Sequence, residues 1–149
     1  MKLRISLATL SKLLLIGVVA LSLTSAATVQ AATPSNQITI QNQDVNTGIV
    51  IVDSVTAAQD GWVVIYKSPN FSPDEVVGHA WVHEGTNMGV KVIVNMPAIG
   101  NPPMLWAALQ ADNGVLGLFE WGFKNHNFAD PPVIQNGADV ATGFATTGP

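Results

Sequence analysis

The side chains best suited to hold a metal in this 149-residue chain are its three histidines, His79, His83 and His126, with Met88, Met96 and Met104 as softer partners. Imidazole and thioether groups of this kind suit copper or zinc. Their spacing limits them. His79 and His83 are four residues apart, which on a helix would aim both at one ion. In a strand, four residues rise about 13 Å, beyond the reach of two ligands on a single metal. A His/Met copper or zinc site therefore needs a neighbouring strand, or the loop that carries His126, and stands as the alternative reading. The first reading has no cofactor.

Catalytic constellations are weaker still. Asp53, Asp60, Asp112, Glu120 and Asp130 could offer a carboxylate pair for acid–base work, but they are spread along the chain, and carboxylates at turns are ordinarily solvated. The chain carries no Gly-x-Ser-x-Gly nucleophile turn, no phosphate-cradling P-loop and no dinucleotide fingerprint. His83-Glu84 opens like the helical zinc-protease motif, but Asn87 stands where the second histidine is required. The absence of cysteine excludes disulfides, thiolate catalysis, Cys-ligated zinc and iron–sulfur clusters. No enzymatic activity is expected.

The four tryptophans point to binding instead, because aromatic rings on a sheet face can engage sugars and peptides. The two-residue period of a strand sorts them. Over residues 75–83, Val77, His79, Trp81 and His83 share one face, and Val76, Gly78, Ala80 and Val82 share the other. The second set is apolar throughout and is expected to face the core, leaving a His79-Trp81-His83 stripe outward. Trp106 shares a face with Ala108, Gln110 and Asp112, opposite Leu105, Ala107, Leu109 and Ala111. Trp62 alternates with Val64 and Tyr66 and is expected to be core-packed. The candidate ligand-binding residues are His79, Trp81, Trp106 and Gln110.

Strands must position these groups. Short runs of Val, Ile, Thr and aromatics recur between Gly, Pro, Asn and Asp, and no stretch beyond the first 31 residues keeps a helical apolar period. Strands are expected at 38–41, 49–56, 62–67, 75–83, 89–95, 104–112, 116–122 and 139–145. Asp60-Gly61 lies between two apolar runs and predicts an antiparallel hairpin with positive φ at the turn. Asn113-Gly114 is a second such signal, and Asn101-Pro102-Pro103 ends the run before it. Residues 124–132 read as a surface loop. The fold class expected is all-β, a single antiparallel β-sandwich over 49–146 with a flexible lead-in segment at 32–48.

The first 31 residues read as a secretory signal peptide: Lys2, Arg4 and Lys12 are basic, residues 13–23 are apolar, and small residues follow. Cleavage is expected after Ala27 or Ala31, with an uncleaved anchor as the competing reading and no membrane span once the signal is removed. Residues 32–149 keep three lysines against ten acidic groups, a formal charge of −7. That balance disfavours nucleic acid and anionic membranes, both of which need clustered basic residues.

The runs Val50-Ile51-Val52-Asp53-Ser54-Val55-Thr56 and Asp60-Gly61-Trp62-Val63-Val64-Ile65-Tyr66 carry a family resemblance. So do Glu75-Val76-Val77-Gly78, Glu84-Gly85-Thr86-Asn87, Leu105-Trp106-Ala107-Ala108-Leu109 and Asp130-Pro131-Pro132-Val133. Over roughly residues 45–145 the chain resembles a domain-of-unknown-function family of haloarchaeal surface and exported proteins, also found in some bacteria. The resemblance implies an immunoglobulin-like sandwich in a secreted or cell-envelope location, not an activity. Members of that family often carry His at the position of Gln110 and a more acidic loop after Asp112. Here the loop is Asn113-Gly114-Val115-Leu116-Gly117, which leaves too few oxygen ligands for calcium. The expectation is an exported, non-catalytic binding or structural module whose partner is an extracellular protein or glycan. Self-association through an edge strand is a further possibility.

Overall fold

Alternation of side chains between two environments builds two sheets here, and one inner strand is buried on both of its faces. The structure is a computed structural model, which describes residues 35–96, 104–122 and 127–147. Residues 1–34, which include the stretch read as a signal peptide, Asn101-Pro102-Pro103 and His126 lie outside the described residues.

The strands are β1 (Gln37–Thr39), β2 (Gln43–Asp44), β3 (Ile49–Ala57), β4 (Gly61–Tyr66), β5 (Val76–Val82), β6 (Gly85–Ile93) and β7 (Met104–Ala111). They are followed by β8 (Trp121–Gly122), β9 (Asn127–Phe128), β10 (Ile134–Gln135), β11 (Ala138–Asp139) and β12 (Ala141–Thr147). A 3-10 turn, Pro73–Glu75, precedes β5. One sheet has the order β1-β3-β6, the other β2-β12-β7-β4-β5, and β8-β9 and β10-β11 form two small ribbons. Every pairing is antiparallel except β2 with β12, which run parallel. No helix among the described residues is long and apolar enough to cross a membrane.

The core between the sheets takes Val50, Val52 and Val55 from β3, Val92 from β6, Val63 and Ile65 from β4, Leu105 and Leu109 from β7, and Phe144 from β12. Each such burial stabilises the fold by about 1.5–3 kcal/mol. The chain is thus an all-β sandwich, as its sequence led us to expect, with several local differences.

The predicted hairpin across Asp60-Gly61 does not form. β3 pairs with β1 and β6, whereas β4 pairs with β5 and β7, so the link at 58–60 carries the chain from one sheet to the other. All six residues of β4 are buried, and a strand buried on both faces sits at the centre of its sheet. The two positions beside it are filled by β5 and β7. Gly61 is not among the residues of positive φ. Its missing side chain instead lets β4 approach the Gln110 carbonyl, which a Cβ there would strike.

The lead-in expected at 32–48 is, where described, part of the fold. It contains β1 and β2, and Ile38, Ile40 and Val45 are buried in the core. The Gln43 amide clamps it to β3, accepting the Ile51 N–H (2.8 Å) and donating to the Ile51 carbonyl (2.9 Å). Polar composition hid this because the Asn and Gln side chains serve as backbone partners. The strand expected at 116–122 shrinks to the two residues of β8, and β6 begins four residues earlier than expected.

In β5 the two-residue period breaks once. Ile65 faces Gly78 and Tyr66 faces Val76, so Val77 is an extra residue in a β-bulge. Val77 turns into the core and Val76 moves to the opposite face, exchanging the places that simple alternation assigns them. The same edge is fastened to the other sheet, where the Asn95 N–H donates to the Val77 carbonyl (2.8 Å).

Candidate functional site

The outer face of the five-stranded sheet carries the aromatic residues singled out above, in three cross-strand rows. Trp81, Trp62 and Gln110 form one row; His79, Val64, Ala108 and Ala141 form the next; Val76, Tyr66, Trp106 and Gly143 form the third. Alternation along β4, β5 and β7 therefore brings His79, Trp81, Trp106 and Gln110 onto one face. It does not leave them equally accessible.

A second apolar cluster covers this face, with Trp62, Val64, Tyr66 and Ala108 at its base and Phe71, Phe119 and Trp121 packed over them. Phe119 stacks on His79 at 4.1 Å, with the rings 18° apart, and meets Trp62 edge-on at 5.4 Å. Trp81 meets Trp62 edge-on at 4.9 Å, and Phe71 meets Tyr66 at 5.3 Å. Edge-to-face pairs of this kind contribute about 0.5–1.5 kcal/mol beyond the area they bury. Trp62 is core-packed, in this outer cluster rather than between the sheets.

Gln110 is fully buried, so it is no surface contact. Its Nε2 donates to the Tyr66 hydroxyl at 2.6 Å. Its Oε1, with Trp62 Nε1, Trp121 Nε1 and Asp112 Oδ1, finds no hydrogen-bond partner among the described residues. Trp81 and Trp106 are half-buried, and His79 and His83 are exposed. The Trp81 indole N–H donates to His83 Nδ1 (3.2 Å), which lies 3.7 Å from Asp60 Oδ1. Partial burial of its ring lowers the His79 pKa below the usual imidazole value, so its neutral form is favoured.

The roof over this face hangs on carboxylates. Asp130, fully buried, accepts the N–H groups of Glu120 (2.6 Å) and Asn113 (3.2 Å). Asp112 accepts the Gly117 N–H (2.6 Å), and Glu120 accepts that of Val115. These acids serve as internal anchors for the turn at 113–119 that carries Phe119. Among the described residues, no group of three His, Asp or Glu side chains is placed to hold a metal.

Between this roof and the sheet edge lies a groove of about 360 Å³, lined by Pro73, Asp74, Val76, His79, Phe119 and Trp121. The Ser72 hydroxyl donates to the Asp74 carboxylate and holds it below the usual carboxylate range. Lys67, close enough to add to that effect, pairs with Glu75 at 3.7 Å. Of the sequence candidates only His79 lines the groove. Phe119 and Trp121 went unchosen, although their two-residue spacing around Glu120 was a usable signal.

A second recess, of about 220 Å³, lies between β1 and β12 and has polar walls. Its amide groups are already engaged: Gln135 accepts the Asn36 N–H (2.9 Å) and donates to the Ser35 hydroxyl (3.0 Å).

Fold and site together define a β-sandwich whose larger sheet bears a roofed aromatic face with a groove at its edge. Residues 36–147 match the family described as Domain of unknown function (DUF7282), and the chain belongs to that family. No curated protein and no solved structure matches it.

Proposed function

We propose that this protein is an exported, non-catalytic recognition module of immunoglobulin-like form, which engages an extracellular partner, a protein or a glycan, through the groove on its aromatic face. The observation that carries the reading is the groove itself, an apolar recess framed by Phe119, Trp121, Val76 and His79 with the Asp74 carboxylate at its lining. Recesses of this size with a few placed polar groups are how small ligands and single side chains are held. A binding role without catalysis is further supported by the employment of Asp112, Glu120 and Asp130 as backbone anchors. Export is supported by the basic and apolar patterning of the first 31 residues.

Among the described residues, no observation favours the His/Met copper or zinc carrier. His79 is stacked on Phe119, His83 Nδ1 accepts from Trp81, and Met88 is exposed on β6 in the other sheet.

A thermal-shift screen of the purified protein against cell-surface polysaccharides, peptides, copper and zinc tests the reading. A ligand of the native state raises the melting temperature by mass action, and Trp121→Ala should abolish the rise while leaving a cooperative transition. A rise with copper or zinc that survives Trp121→Ala and disappears in His83→Ala would replace this reading with the carrier.

A further inference from the structure

We propose that the groove beside β5 is a site for a small quaternary-ammonium cation taken up as a free solute. The inference rests on the reading of this face as a recognition surface and goes beyond it by adding a small solute to the protein or glycan partner. Three features of the groove converge on it.

The walls come first. Pro73, Val76, Phe119 and Trp121 present carbon, and the recess of about 360 Å³ is roomy enough for a methyl-coated head with a short substituent. Such walls cannot replace the water shell of a primary ammonium. They can replace the loosely held water around a trimethylammonium group, whose charge is also drawn to an indole face.

Charge selects the sign. Asp74, a residue of the lining, keeps its carboxylate ionised, and among the described residues the base that acts on it, Lys67, is paired with Glu75. His79, also in the lining, favours its neutral form. Asp139 adds a negative field that reaches Tyr66, beneath Trp121 in the same cluster. An anionic ligand meets repulsion here, and a cation meets attraction on a chain that is itself acidic.

Assembly is the third feature. The lining is drawn from three separate segments, namely the 3-10 turn Pro73–Glu75, the start of β5, and the approach to β8. The carboxylate and the two aromatic rings thus come together only in the folded chain.

The test is calorimetric titration of the purified protein with choline chloride. Run alongside are its uncharged isostere 3,3-dimethylbutanol, phosphatidylcholine vesicles, and the polysaccharides and peptides of the screen above. Choline should bind saturably, the isostere roughly tenfold more weakly or not at all, and added salt should weaken choline binding. Trp121→Ala should cost roughly tenfold and Trp121→Phe less. Asp74→Asn, an exposed change that should leave a cooperative transition, should cost about threefold. Equal binding of choline and the isostere, or indifference to both Asp74→Asn and salt, would overturn the cation assignment. So would binding to vesicles without binding to free choline. Silence toward choline with Trp121-dependent binding of a polysaccharide or peptide would overturn this inference and leave the recognition reading standing. Silence toward every ligand would remove both.

Discussion

Tyr66, the single tyrosine of the chain, is fully buried, with its hydroxyl accepting from Gln110. Burial pushes its phenol pKa well above the ordinary value near 10, and the charge of Asp139 pushes the same way. The Trp121 indole leans toward the oxygen without meeting it in hydrogen-bond geometry and eases the shift slightly. As pH rises through about 10, the unfolded chain ionises first, so stability present below that pH is lost above it. With one tyrosine the measurement is clean: the tyrosinate absorption should stay absent past its ordinary pH and then appear together with the loss of circular dichroism. A smooth titration near the ordinary value, with the sheet signal intact, would mean that Tyr66 is open to water. Its partner offers a second test. Gln110→Leu removes the donor to Tyr66 and should cost about 1 kcal/mol in urea unfolding, and a double-mutant cycle with Tyr66→Phe should recover most of it. Gln110 was legible as sharing a face with Trp106 because strand parity places side chains on faces. Parity says nothing of what covers a face, and so its burial was not.

Among the elements, β4, β5 and their glycines decide how the sheets meet. Gly78 in β5 lies under the Ile93 carbonyl, and a Cβ there would also press on the Val94 side chain. Gly78→Ala should therefore lower stability by about 1–3 kcal/mol, read as a fall in the urea midpoint at unchanged slope. A neutral result would show that β6 yields easily. Strand existence and face were readable here from Val/Ile runs of period two. The bulge at Val77 was not, because Val76 and Val77 are equally apolar and either can fill the core. The Asp60-Gly61 turn misled for a related reason. Glycine is selected both by positive φ and by close backbone approach, and only the partner strand, which local sequence does not name, distinguishes the two.

For the molecule as a whole, Asp130 ties together the segments that roof the sandwich. Asp130→Asn replaces one acceptor oxygen by a donor that faces a backbone N–H, and should destabilise by roughly 2–4 kcal/mol. The effect should be local in hydrogen exchange: amides of residues 113–122 exchange faster while those of β3, β4 and β7 keep their protection. Uniform loss of protection would mean that the roof is part of the sandwich's own cooperative unit. The all-β class was legible from composition and punctuation alone. The groove was not, since it depends on a return of the chain over the sheet.

The parallel pair of β2 and β12 joins Gln43 to Thr146, across most of the domain. Such long loops must close before their contacts stabilise anything, which places folding in the slow range of milliseconds to seconds. For a chain proposed to leave the cell through a narrow channel, lateness of this kind is useful. The five-stranded sheet cannot be completed until the residues of β12 are available, so a chain exported as proposed would stay threadable until its last strand arrives.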